Sequence, residues 1–127
     1  MTFLIDNNLS EHLANGMKAF GEDVKHLKEV FPNDPVDTQW LQYVGQHQMF
    51  VITRDERVRW RPAELQALRK YNTGAFFLGG KNLTRCKLIQ QLVRNWPRIK
   101  EFASTTRKPF IFRVPPTGTK FVRIQLP

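Results

Sequence analysis

The sequence predicts an open parallel sheet with helices on both faces. Three observations carry that expectation. Short apolar runs alternate with segments of helical period, Gly- and Pro-rich turns fall between them, and 127 residues leave room for one core. Phe3–Ile5 is a short apolar run ending in Asp6 and reads as a buried strand. Asn8 with Glu11 three residues later fits an N-cap pair. Leu9, Leu13, Met17 and Phe20 then recur at helical spacing, and Gly21 is the natural stop. Val24–Leu27 is a second strand, and Phe31-Pro32-Asn33-Asp34-Pro35 a loop. Asp37 caps a helix from Thr38 to about Gln46, with Trp40, Leu41 and Val44 on one face. Met49–Thr53 is the third strand, followed at once by Arg54-Asp55.

Arg57 to Arg61 is a basic turn. Pro62 suits the first position of a helix running to about Tyr71, with Leu65 and Leu68 buried. Ala75–Leu78 is a fourth strand closed by Gly79-Gly80. Thr84 caps a helix carrying Leu88, Leu92 and Val93; Pro97 breaks or restarts it, and Ile99 and Phe102 continue the stripe. Phe110–Val114 and Phe121–Leu126 flank Pro115-Pro116-Thr117-Gly118 as a hairpin. The expectation is one domain over residues 1–127, with an α/β core at 1–106 and a C-terminal hairpin extension at 107–127. Crossovers in such a sheet are right-handed, and ligands sit outside the carboxyl ends of the strands.

Composition narrows the function. Hydrophobic residues at 41% and ten Phe supply a real core, which argues against general disorder. The longest apolar runs, Met49–Ile52 and Ala75–Leu78, are four residues, far short of the ~20 a membrane helix needs. The opening Met1–Asp6 has no basic region, so no secretory signal is expected. Cys86 is the single cysteine, which excludes an internal disulfide and a cysteine metal cluster. The economical location is the cytoplasm. The net charge is +9, unevenly divided. Residues 1–53 hold three bases and seven acids, or −4; residues 54–127 hold seventeen bases and four acids, or +13. An acidic half beside a basic half points to a polyanion partner, against the plainer reading of solvated helix faces.

The carboxylates fall where a ligand would sit. Asp6 follows the first strand, Asp55 follows the third, and Asp37 begins the helix leading into the third. If the first and third strands are neighbours, three carboxylates converge on one edge. At ~4 Å and an effective dielectric of ~20, two such charges repel by about 4 kcal/mol before relaxation. A cluster of this kind needs a cation, a shared proton or separation. Carboxylate oxygens without His or Cys nearby favour Mg²⁺ or Mn²⁺, and such an ion facing a basic surface suits phosphodiester hydrolysis. Each acid also has a plain reading: Asp6 and Asp37 as helix caps, Asp55 as the partner of Arg54 or Arg57.

The remaining chemistry-bearing residues say less. His12, His26 and His47 lack metal-ligand spacing. Cys86 reads as a small buried residue, and Gly79-Gly80-Lys81 as a turn, since the full phosphate-loop spacing is absent. Trp40 and Trp96 sit in apolar helical patterns and belong to the core. Trp60 lies among Arg57, Arg59 and Arg61, where an indole can stack on a base or pack against a helix.

Phe3-Leu4-Ile5-Asp6-Asn7-Asn8-Leu9-Ser10, Gly21-Glu22-Asp23-Val24 and Val51-Ile52-Thr53-Arg54-Asp55 together resemble the small PIN-like domains of VapC-type toxins. Arg61-Pro62-Ala63-Glu64-Leu65, Gly74-Ala75-Phe76-Phe77-Leu78 and Lys81-Asn82-Leu83-Thr84 match a particular subgroup of them. The resemblance covers nearly the whole chain. It implies a three-layer α/β/α fold with a central parallel sheet, and a metal-dependent endoribonuclease acting as the toxin of a toxin–antitoxin pair. By the same resemblance, Asp6, Asp37 and Asp55 hold Mg²⁺ or Mn²⁺, and Thr53 orients Asp55 or a metal-bound water. Arg54, Arg57, Arg59 and Arg61, with Trp60, hold RNA. The implied partners are RNA, a cognate antitoxin and a second copy of the chain, with no membrane. Two positions depart from the pattern: Asn7 stands where related domains often have Glu, and Arg57 where they often have Asp, with Glu56 as a substitute acid. Those departures leave a catalytically degraded, RNA-binding PIN-like module as an alternative. A receiver-like phosphoacceptor domain is another, since it too places an Asp after its third strand.

Overall fold

The structure is a computed structural model that describes residues 1–54 and 61–126. Its strands are β1 (Phe3–Ile5), β2 (Val24–His26), β3 (Phe50–Thr53), β4 (Gly74–Leu78), β5 (Phe110–Val114) and β6 (Val122–Ile124). Its helices are α1 (Glu11–Ala19), α2 (Leu27–Val30), α3 (Asp37–Gln46), α4 (Pro62–Lys70) and α5 (Arg85–Thr105). The six strands form one sheet in the order β2-β1-β3-β4-β5-β6. The first five run parallel, and β6 returns antiparallel along β5. The expected α/β class therefore holds. The first strand of the expected hairpin is also the fifth parallel strand of the sheet.

Period-2 alternation splits the core into two layers. Phe3, Ile5, Phe50, Ile52, Phe76, Leu78, Phe110 and Phe112 face α1 and α5, meeting Ala14, Leu92, Trp96 and Ile99. Leu4, Val51, Ala75 and Ile111 face the other way, against Leu27, Trp40, Leu41, Val44 and Leu68 from α2, α3 and α4. The phenylalanines concentrate on the first face. Phe76 sits edge-on to Phe110 at 5.4 Å, and Phe3 lies 4.8 Å from Trp96. Such ring pairs add about 0.5–1.5 kcal/mol beyond their buried area. At Gly74 a Cβ would come within 2.4 Å of the Phe110 ring, so only glycine admits that packing.

Three helices end alike, and this delivers the chain to the amino ends of the strands. After α1, Gly21 takes φ 86°, its amide bonds Lys18 O at 2.9 Å, and the Glu22 amide bonds Met17 O at 3.0 Å. That pair of bonds is a Schellman stop. Gln48 and Asn72, at φ 54° and 53°, end α3 and α4 with the same bond pattern.

Several local expectations are corrected. The cap of α1 is Ser10, whose hydroxyl accepts from the His12 amide at 3.0 Å, and not Asn8. Val36, not Asp37, is the N-cap residue of α3. Pro97 does not break α5, which runs unbroken from Arg85 to Thr105. Leu92, Trp96, Ile99 and Ala103 anchor it to the sheet on both sides of the proline, while Pro97 and Val93 face solvent. The carbonyl that the proline leaves without a helical donor is thus on the wet side. Cys86 is exposed rather than buried. Leu27 opens a one-turn helix instead of ending the second strand, and the loop follows from Phe31 as expected.

Candidate active site at the carboxyl edge of the sheet

The strand order reverses direction between β1 and β3. From β1 the chain goes to β2 on one side, and everything after β3 builds on the other. In doubly wound sheets this switch point opens a crevice at the carboxyl ends. Asp6 stands there. Its amide donates to Ile52 O at 3.0 Å, extending the β1–β3 ladder by one bond, and its side chain is 8% exposed. Thr53, the last residue of β3, is 2% exposed.

A chain of hydrogen bonds joins the two strand ends. The Thr53 hydroxyl donates to Asp6 Oδ2 at 2.8 Å. The Asn8 amide group donates to Thr53 Oγ1 at 3.2 Å, while its Oδ1 accepts from the Arg54 backbone amide at 3.1 Å. The Asn7 backbone amide donates to Asp6 Oδ1 at 2.6 Å. Thr53 thus reaches Asp6, the first acid. Asn8, read from sequence as a helix cap, is the brace between β1 and β3. Asn-x-x-Glu is a capping pattern, and nothing local announces a partner 45 residues away.

Asp37 lies in the first turn of α3, where the helix dipole favours a carboxylate. Its Oδ1 accepts from the buried Trp40 indole N–H at 3.0 Å. Its Oδ2 is 3.6 Å from Arg61 Nη1. Arg61 also donates to Glu64 Oε1 at 3.2 Å. Glu64 is only 5% exposed, and its Oε2 has no hydrogen-bond partner among the described residues. Sequence reading missed Glu64, because a glutamate in the first turn of a helix is ordinary on dipole grounds.

Asp6, Asn7, Asn8, Asp37, Trp40 and Arg61 line one cleft of about 310 Å³, floored by Leu27 and Pro35. A neighbouring hollow of about 350 Å³ shares Pro35, Asp37 and Arg61 and adds Glu64. So the structure brings Asp6, Thr53, Asp37 and Arg61 to one place. Asp55, Arg57, Arg59 and Trp60, with Glu56, lie outside the described residues. Arg54 follows β3 and is half-buried. The histidines stay away from this chemistry. His26 is buried, its Nδ1 accepts from the Lys28 amide, and its Nε2 bonds Leu9 O at 2.8 Å. His47 stacks on Tyr43 at the end of α3.

The donor set suits a hard cation. Among the described residues Asp6 accepts from a hydroxyl and an amide, and Asp37 brings a second carboxylate to the cleft. Oxygen ligands of this kind fit Mg²⁺ or Mn²⁺. Among the described residues no three His, Cys, Asp or Glu side chains form a metal-binding group by themselves.

A family model described as a PIN like domain matches residues 1–80, from β1 through the turn after β4. No curated protein matches the chain, and no solved structure does. The strand order 2-1-3-4-5 is shared with receiver domains, so order alone does not separate the two classes. The matched span, which includes Asp6, Asp37 and Thr53, does: the chain belongs to the PIN-like domain family, whose members are commonly nucleases.

Proposed function

We propose that this domain is a metal-dependent endoribonuclease of the VapC type, the toxin of a type II toxin–antitoxin pair. The observation that carries the reading is the Asn8–Thr53–Asp6 chain at the β1–β3 switch point, with Asp37 on the same cleft. Asp6, Asp37 and Asp55 would hold Mg²⁺ or Mn²⁺, which supplies an activated water and charge stabilisation at the phosphate. The chain's own residues do the positioning. Thr53 fixes the Asp6 carboxylate, and Asn8 fixes Thr53. The basic second half of the chain favours RNA as the polyanion. The reading includes a cytoplasmic setting, a small antitoxin as partner and pairing of two copies.

A second reading rests on Arg61. Its guanidinium pairs with both Asp37 and Glu64, as it would in an RNA-binding module that has lost catalysis. Incubating a mixed RNA pool with Mn²⁺ separates the two. Cleavage by the wild type, lost in Asp6→Asn, supports the nuclease; RNA binding without cleavage supports the module. Stable phosphorylation by acetyl phosphate would instead revive the receiver class.

A further inference from the structure

The carboxyl edge of the sheet carries cations that pair with no acid among the described residues. Arg54 directly follows β3. Parallel register sets Thr53 opposite Phe77, so Arg54 comes level with Leu78 and the Gly79-Gly80-Lys81 turn that closes β4. Arg85 and Lys87 follow in the first turn of α5. Lys81, Arg85 and Lys87 are exposed, and none of the four pairs with an acid among the described residues. Lys18, Lys28, Arg61 and Lys100 all do. The first turn of α5 has no acid either. Cations at that end of a helix oppose its dipole, so Arg85 and Lys87 cost stability where they stand.

The row is also rigidly placed. The Gly79 amide donates to Val114 O at 2.9 Å. The buried Gln91 side chain donates to Gly79 O at 2.8 Å and Pro115 O at 3.1 Å, locking α5 and the turn to the end of β5. Two inter-strand steps separate β1 from β4, about 10 Å. The charges therefore begin within a short oligonucleotide's reach of Asp6. On the opposite flank of the cleft, Arg61 is held by Asp37 and Glu64.

We propose that RNA reaches the Asp6 cleft across the ends of β3 and β4, with its phosphates on Arg54, Lys81, Arg85 and Lys87. The path rests on RNA being the polyanion of the proposed function, but not on cleavage.

The test is equilibrium binding of a fluorescein-labelled single-stranded oligoribonucleotide, without divalent ions, across a NaCl series. One variant carries Lys81→Ala, Arg85→Ala and Lys87→Ala. A charge-matched control carries Lys70→Ala, Arg98→Ala and Arg107→Ala, nearer the amino ends of the strands. Each single-strand phosphate contact contributes ~0.7 to the slope of log affinity against log salt, so the edge variant should flatten the slope by about 2. The control should keep it. An unchanged slope in the edge variant, an equal loss in both variants, or no RNA binding by the wild type overturns the path. Should the triple variant fail to fold, Lys81→Glu on the exposed turn reads the same contact, and an unaltered slope there is equally contrary. Cleavage with Mn²⁺ is scored separately. A wild type that cuts RNA while the edge variant keeps its slope refutes the path alone. A wild type that binds through the edge and never cuts refutes the nuclease alone.

Discussion

Asp6 and Asp37 face the same cleft but are held in opposite ways. Asp6 is buried at a strand end, where among the described residues it receives a hydroxyl and a backbone amide. Asp37 opens a helix at the rim, and one of its oxygens is opposed by Arg61. Neutral donors fix a carboxylate without cancelling its charge. A guanidinium fixes and cancels at once. On the function proposed above, the β1–β3 side of the cleft is where a divalent ion would bind, while the α3–α4 side already carries Arg61.

The sharpest break of that contrast is chemical. Asp6→Asn should lower Mn²⁺-dependent RNA cleavage by more than about 100-fold, beyond the 10–100-fold typical of residues that merely support a metal ligand. Asp37→Asn should lower it less, because Arg61 already offsets that charge. Equal losses would show that the two sides work alike. Next in size, Thr53→Val removes the hydroxyl between Asn8 and Asp6. It should reduce cleavage by about 10–100-fold and stability by about 1 kcal/mol, while Thr53→Ser keeps most of both, as read by kcat/KM and melting.

Arg61→Ala sharpens the comparison from the other side. It leaves the buried Glu64 carboxylate and Asp37 without their cation and should cost about 1–3 kcal/mol in the metal-free protein. Glu64→Gln in the same chain should recover part of that loss. The Mn²⁺-induced rise in Tm should become larger in Arg61→Ala, since Asp37 is released; a smaller rise would show that Arg61 supports the site. The smallest effect comes from a surface acid with no role at the cleft. Burial pushes the Glu29 carboxyl up, but its hydrogen bonds from Lys18 and the His26 amide, with the Lys18 charge, outweigh this and leave it below the ordinary value of 4.5. A lowered acid stabilises the fold above its unfolded pKa and loses that contribution as pH falls through its folded value. The Tm gap between wild type and Glu29→Gln should therefore be steady near neutrality and close below pH 4.5.

What the sequence disclosed depended on the range of the interaction. Strand runs, the Gly21 stop, the Thr84 cap and the core positions of Trp40 and Trp96 are set by neighbours along the chain, and they appear as expected. The placement of Asp6 and Thr53 at adjacent strand ends followed from the α/β order, provided β1 and β3 paired, as they do. Asn8 and Glu64 were opaque for the converse reason. Each has an ordinary local explanation, and only the fold brings Asn8 to Thr53 and Glu64 to Arg61. Asp37 was misread as a cap because Val36 already has extended backbone and takes the cap position without a side-chain bond. Cys86 was misread because its place on α5 faces away from the sheet.

The difference between the two carboxylates is most directly tested by melting with and without Mn²⁺. An ion that binds only the folded state at ~100 times its Kd adds about 2.7 kcal/mol. Wild-type protein should melt higher in Mn²⁺. Asp6→Asn should lose that rise while its metal-free Tm changes little, because a charge leaves the cleft while the single amide oxygen of Asn keeps one of the two bonds from Thr53 and Asn7. If wild type and Asp6→Asn melt alike in both conditions, Asp6 holds no metal and the asymmetry of the cleft has no bearing on function.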